Sequence, residues 1–433
     1  MIQTTWDVNL QGVSVSLVDV TSRVLGLDVR QNVELGRMTS MVASVELNND
    51  DGGLTPAEGG GTGDYSAVDW FSVGIKIFAT FSGSVSTEQA IVFDGVVQEF
   101  SSVDDGTNSR VVITAFDGIS VAGGLPPDAV TISVPATGPV DAMLEKLGDT
   151  IDTFQPFPLI YSGVTEAELV VERLDDSKGP DGDYSMTSLI SGTVLDVISN
   201  NVLPAGPSVA WAGIRQVNST TVEYTIYCID RGLLRDEDNR ILFEFDEGPG
   251  DPAVTSDVIV FDEITVNYSD DDLFNYAQIA SGSVGGVTAT ASNAESVASY
   301  GMRAISASST VNRTTIDAGH AAGSWSNRYS VHRFVPRSIS FSTAVIQAHG
   351  FKGSEVKLAE LFDVRYGLWQ PCEVTYTPTG GSEITAECLL VGRRFRGRPG
   401  FVAVELELNP LVDFSSFTLD SDVLGVLDQN RLG

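Results

Sequence analysis

Short runs in which apolar and polar residues alternate, each closed by a cluster of Gly, Asp, Asn or Pro, limit most strongly what this chain can fold into. A period of two sends successive side chains to opposite faces of a strand, so each run buries one face and wets the other. Val13, Val15 and Leu17 form one such run, and Met41, Ala43, Val45 and Leu47 another. The second stops at Asn48-Asn49-Asp50-Asp51-Gly52-Gly53, residue types that accept turn conformations and open a long loop with a Gly-rich stretch over 58–65. Val73, Ile75 and Ile77 then resume the pattern, and the runs Ile91 to Val97 and Arg110 to Phe116 flank the polar turn Asp104-Asp105-Gly106-Thr107-Asn108, as a hairpin requires. Many short strands with regular turns predict a sandwich-like or barrel-like unit over residues 1–130.

The middle of the chain, 131–250, has a mixed α and β pattern. Pro139 followed by Val140, Met143, Leu144 and Leu147 predicts a short helix ending at Gly148, and Ile190, Val194, Val197 and Ile198 predict a second over Thr187 to Asn201. Strands return at Ser208 to Trp211 and Val222 to Ile229. Gly248-Pro249-Gly250-Asp251-Pro252 then forbids both helix and interior strand, and marks a boundary. A second β-rich unit, 251–410, is expected from strands at Val258 to Phe261, Ile264 to Tyr268, Ser338 to Val345, Cys372 to Tyr376, Glu383 to Val391 and Phe401 to Leu408. A helix within Asp317 to Val335 is predicted to end before Pro336, and the stretch 280–298 is small, polar and weakly patterned. Residues 411–433 read as an extended tail. The fold class is thus mainly β and multidomain, with an α+β middle region.

A formal charge of −33 argues against wrapping nucleic acid, because phosphate contacts need clustered Lys and Arg. Met1 to Leu10 carries no basic segment followed by an apolar run, and no stretch approaches the roughly 20 apolar residues of a membrane span. The chain is expected to be made in a cytoplasm, with its three cysteines reduced.

Catalytic patterns are lacking. The three histidines, His320, His332 and His349, do not stand at the four-residue spacing of a helical zinc pair. There is no phosphate-binding Gly loop with its lysine and no nucleophile elbow. Asp270-Asp271-Asp272 and Asp181-Gly182-Asp183 offer oxygen ligands but lack the alternating spacing and closing Glu of an EF-hand, so they read as solvated loops. No catalytic residue, cofactor site or metal site is assigned.

Two features invite contact rather than chemistry. Arg393, Arg394, Arg396 and Arg398 crowd into Gly392 to Gly400, a basic cluster in an acidic chain. As a flexible arginine-rich turn it is the candidate interface, suited to bidentate pairing with an acidic patch on a neighbouring copy; the alternative is a turn that merely sits in solvent. Cys372 and Cys388 lie almost symmetrically about Gly380-Gly381, the expected turn of a hairpin. Depending on register they are directly opposed or one position off; the reading is two reduced thiols, with a bridge as the alternative.

Four segments in order resemble one family. Asp19-Val20-Thr21-Ser22-Arg23-Val24, with Val45 to Gly52 and then Thr55-Pro56, is similar to the opening of the minor tail proteins, or tail-tip (baseplate) hub proteins, of long-tailed siphovirus-type bacteriophages. Phe93-Asp94-Gly95-Val96-Val97 leading to Ile113-Thr114-Ala115-Phe116-Asp117 looks like the strand pair closing their first barrel. Asp272-Leu273-Phe274-Asn275 with Ser296 to Arg303 resembles their central signature, and Gly425 to Gly433 their ending; 131–250 matches least. The resemblance implies a homotrimeric hub at the distal end of the tail, with two barrel-like tube domains per chain. Its implied partners are the distal tail protein, the tape measure protein and other tail-tip proteins, and DNA passes through without specific binding. A receptor- or carbohydrate-binding tail protein and a tail-associated cell-wall hydrolase are the rivals. The five scattered tryptophans, Trp6, Trp70, Trp211, Trp325 and Trp369, fit burial better than an exposed sugar platform.

Overall fold

Trp6, Val8 and Leu10 alternate with polar residues through the first strand and are all buried, so this strand commits one face to the core. The computed structural model describes residues 3–410 with interruptions, the longest at 118–130, 135–165, 174–185, 190–207 and 231–242. The N-terminal strands are β1 (Gln3–Gly12), β2 (Val15–Asp19), β3 (Val24–Asn32), β4 (Val42–Asn48), β5 (Val73–Ser82), β6 (Thr87–Asp104) and β7 (Ser109–Phe116). The middle contributes β8 (Thr131–Val134), β9 (Glu166–Arg173), β10 (Met186–Leu189), β11 (Ser208–Gln216), β12 (Thr221–Asp230) and β13 (Phe243–Asp246). Next come β14 (Val258–Val260), β15 (Glu263–Asn267), β16 (Tyr276–Ser281), β17 (Thr288–Ser292), helix α1 (Ala294–Tyr300) and β18 (Ala304–Ser309). The last elements are β19 (Val335–Ser342), helix α2 (Ser354–Phe362), β20 (Pro371–Tyr376), β21 (Ile384–Arg398) and β22 (Phe401–Pro410).

Fourteen of the described strands share one sheet, in the order β14-β13-β20-β21-β3-β4-β7-β6-β5-β1-β2, with β22, β19 and β15 branching from β21. The two β-rich stretches of sequence are therefore joined through β21, and β13, which precedes the Pro/Gly boundary, pairs with β20. Among the described strands the ladder closes no ring, so the sheets are sandwich-like rather than a barrel. Smaller sheets are formed by β10-β8, by β11-β12-β9 and by β17-β16-β18. Thr187 to Leu189, the predicted start of the second middle helix, lie instead in β10: the helical spacing begins only at Ile190, and a short stretch ahead of it has no periodicity to separate strand from helix. The remainder of that helix and the one at 139–148 lie outside the described residues.

Helix α2 is the hub of the core. Leu358, Leu361 and Phe362 sit at helical spacing and are fully buried. The Phe362 ring stacks on Phe395 of β21 at 4.0 Å, meets Phe81 of β5 edge-on at 4.9 Å and lies 6.1 Å from Trp6 of β1. One helix end thus fastens three strands that are remote in sequence.

The segments carrying the family resemblance do structural work. Asn49 is buried: its Oδ1 accepts from the Leu54 amide at 2.8 Å and its Nδ2 donates to Thr55 Oγ1 at 3.0 Å, while Arg23 grips both carboxylate oxygens of Asp51. The loop after β4 is consequently clamped, and Asn49→Ala is expected to lower stability by about 1–3 kcal/mol, read as a shift of the urea midpoint, because it strands a buried amide. In the third region, Asn275 Nδ2 donates to Ser296 Oγ at 3.1 Å and to the Gly301 carbonyl at 2.8 Å, and its Oδ1 accepts from the Arg303 amide at 2.8 Å. That single side chain joins the two halves of the signature. Asn293 caps α1 by accepting from the Ser296 amide, and Gly301, at φ 76°, ends the helix.

Asp94 lies opposite Lys76 across the β5–β6 pair and meets its Nζ at 3.2 Å, yet burial raises the carboxyl to about 6 against the opposing pull of Lys76. A carboxyl whose folded pKa exceeds its unfolded value binds more protons when folded, so stability falls as pH rises from 3.8 to about 6. Asp94→Asn is expected to flatten the pH dependence of the urea midpoint across that window.

Candidate interface site

The arginine cluster is not a flexible turn. β21 continues through it to Arg398, and only Pro399-Gly400 turn the chain into β22, with Gly400 at φ 75°. The ladder requires this, since Gly392 to Gly397 pair with β3 on one edge while Gly392 to Arg398 pair with β22 on the other. A register shift between Leu390 and Gly392 keeps one face buried, with Cys388 and Leu390 before it and Arg393 and Phe395 after it.

The four arginines separate by face. Arg393 points inward and is 2% exposed. Its Nε and Nη2 donate to Gln31 Oε1 at 2.9 and 2.7 Å, and its Nη1 donates to the Leu361 and Asp363 carbonyls at 2.5 and 2.9 Å. These carbonyls lie in the last turn of α2 and just past it, where a cation meets the negative end of the helix dipole. Burial pulls the guanidinium down to about 9 while the charge of Asp363 opposes the shift, so it stays protonated at neutral pH. Arg393 ties β21 and β3 to α2 and does not reach the surface.

Arg394, Arg396 and Arg398 face outward. Arg394 donates to both oxygens of Asp28 at 2.9 and 2.6 Å, and Arg30 stands 3.2 Å from the same carboxylate. Burial acts to raise Asp28, but the hydrogen bonds and charges of Arg394 and Arg30 outweigh it and hold the carboxyl below its ordinary value. Arg396 lies 3.3 Å from Glu405, with both side chains about half exposed, and Arg398 sits over the Phe401 ring at 5.1 Å. Two shallow depressions flank this face, one walled by Asp28, Arg30 and Glu407, the other by Glu263, Ser338 and Ser340.

Sequence reasoning missed Asp28, Arg30, Glu405 and Glu407. The alternation of Val404-Glu405-Leu406-Glu407-Leu408 already aims the two glutamates outward, whereas nothing local pairs β3 with β21. Cys372 and Cys388 are directly opposed across β20 and β21, both free and buried. Burial pushes Cys388 up to about 12 and Cys372 well above an ordinary thiol, which disfavours the thiolate at both. His320, His332 and His349, the Asp270 and Asp181 clusters, Trp369, the side chains of Trp211 and Cys228, and residues 411–433 lie outside the described residues. Among the described residues no group of His, Cys, Asp and Glu could hold a metal, and no helix is long and apolar enough to cross a membrane.

No protein-family model matches the sequence, and comparison with curated proteins finds no match. Solved structures do match. A tail protein from Neisseria meningitidis superposes with a TM-score of 0.51 over 93% of this chain and 96% of its own, at 10% identity. The tail protein of prophage MuSo2 from Shewanella oneidensis gives 0.51 over 94% and 98%, also at 10% identity. The chain has the fold of prophage tail proteins. At this identity the likeness is one of fold, and it covers more than nine tenths of each chain.

Proposed function

We propose that this protein is a non-enzymatic structural component of a phage virion, forming the hub at the distal end of the tail. Its fold, shared end to end with prophage tail proteins, is the observation that carries the reading. Copies of the chain join as a homotrimer that closes or continues the tail tube, after assembly in the host cytoplasm. The hub contacts the distal tail protein above, anchors the tape measure protein and carries further tip proteins. The units 1–130, 131–250 and 251–410, with the tail 411–433, are the division this role uses, the first and third acting as tube domains.

Physical features favour this role. Edge strands such as β2, which pairs only with β1 among the described strands, carry unpaired backbone groups that a neighbouring subunit can satisfy. A charge of −33 lets DNA slide past without sticking, since phosphates are repelled over roughly a Debye length of 8–10 Å. Trp6, Trp70 and Trp325 are buried, which leaves none of the three for an exposed carbohydrate platform. The mass of the purified full-length assembly tests the reading: three chains support the hub, six point to a tube ring, and a single chain at all concentrations overturns both.

A further inference from the structure

Outward-facing charge on β21 is segregated along its length. Thr385 and Glu387 occupy the outer face of its first half, and the register shift at Leu390/Gly392 brings Arg394, Arg396 and Arg398 to the same face in its second half. Glu387 and Arg396 stand roughly 30 Å apart along the strand. The acidic end is broadened by its neighbours, because Glu244 of β13, Glu373 of β20 and Glu387 are directly opposed in one row across three strands. Like charges placed opposite one another destabilise a sheet, and none of the three makes an ion pair among the described residues. At the basic end, Arg396 holds only a loose surface pair with Glu405, and Arg398 rests on an aromatic ring.

We infer that the arginine tip of the β21–β22 hairpin, Arg396 and Arg398, docks on the Glu244–Glu373–Glu387 row of a second copy of this chain. The occupant is a second copy because the two complementary patches lie at opposite ends of one strand, so every copy carries both. Such a contact is heterologous, each chain giving its tip to one neighbour and its row to another, and it propagates around a ring. In an assembly of chains each carrying −33, pairing basic tips with acidic rows also relieves repulsion where subunits approach most closely.

This inference rests on the homo-oligomeric reading above, and charge exchange tests the two separately. Three full-length variants are compared with wild type by sedimentation over a concentration series: Arg396→Glu with Arg398→Glu, Glu373→Arg with Glu387→Arg, and all four changes in one chain. Each two-site variant is expected to weaken self-association about tenfold or more, and the four-site chain to return to within about threefold of wild type. Wild-type self-association should weaken as salt rises. Where a reversal lowers the melting temperature, Arg396→Gln with Arg398→Gln replaces it, with a loss of about threefold expected. An oligomeric wild type whose association is unchanged in the folded two-site variants, or is not restored by the four-site chain, overturns the docking contact alone. A wild type that stays a single chain overturns the oligomer itself.

Discussion

Arg393→Ala is expected to destabilise the protein by about 3–5 kcal/mol, measured as a fall in the urea midpoint at constant slope. The side chain is 2% exposed, and each hydrogen bond it makes goes to a buried residue. Truncation leaves Gln31 Oε1 and the Leu361 and Asp363 carbonyls facing a cavity, and a buried acceptor without a donor costs about 1–3 kcal/mol. It also removes the cation from the α2 C-terminus, next to the Phe362–Phe395 stack on which three strands converge. Arg393→Lys should recover only part of the loss, because one ammonium cannot reach Gln31 and two carbonyls in the geometry of the guanidinium fork. Arg396→Ala is the contrast: its partner Glu405 is half exposed, and a change within about 0.5 kcal/mol is expected. Equal effects at the two positions would refute the division of the cluster by face.

That division was not legible in the sequence. Four arginines between two glycines look like a solvated turn, since nothing local tells that Arg393 will meet a helix end and Gln31, a residue 362 positions away. The strands that were legible, such as β4 and the Val404 to Leu408 part of β22, alternate and end in turn residues, and β7 is an apolar run closed by Asp117-Gly118. β3 escaped because a register shift between Val24 and Gly26 breaks its pattern, and β1 although Trp6, Val8 and Leu10 alternate plainly. Helix α1 hid among small polar residues, although Asn293 and Gly301 are recognisable caps. Helix α2 is one short amphipathic segment whose burial comes from strands at both ends of the chain. The fold class thus follows from period and turn chemistry, while the site depends on which strands pair across hundreds of residues, information that local pattern does not hold.

Gly95→Ala isolates the close approach on which the β6–β7 pair depends. A Cβ at position 95 would stand 2.2 Å from the Phe116 carbonyl oxygen and 2.8 Å from its carbon, with the Phe93 ring at 2.6 Å. Backbone on one side and a buried ring on the other leave no flexible chain end to yield, so the strands themselves must separate. Val96 pairs with Phe116 at this point, and Asp117 next in sequence binds the Met41 amide at 2.9 Å, so the displacement carries into β4. The expected cost is about 3 kcal/mol, at the upper end for overpacking by one methyl. Gly397→Ala supplies the comparison, because its Cβ would meet side chains instead, Leu27 and Trp6 at 2.9 Å, which can shift within the core. A cost of about 1–2 kcal/mol is expected there. Hydrogen exchange should locate the difference: in Gly95→Ala the amides of Val96 and Phe116 lose protection ahead of global unfolding, whereas in Gly397→Ala they keep it. Retained protection at those two amides in Gly95→Ala would mean that the strands tolerate a side chain at this position, and that the glycine answers to something other than the strand approach.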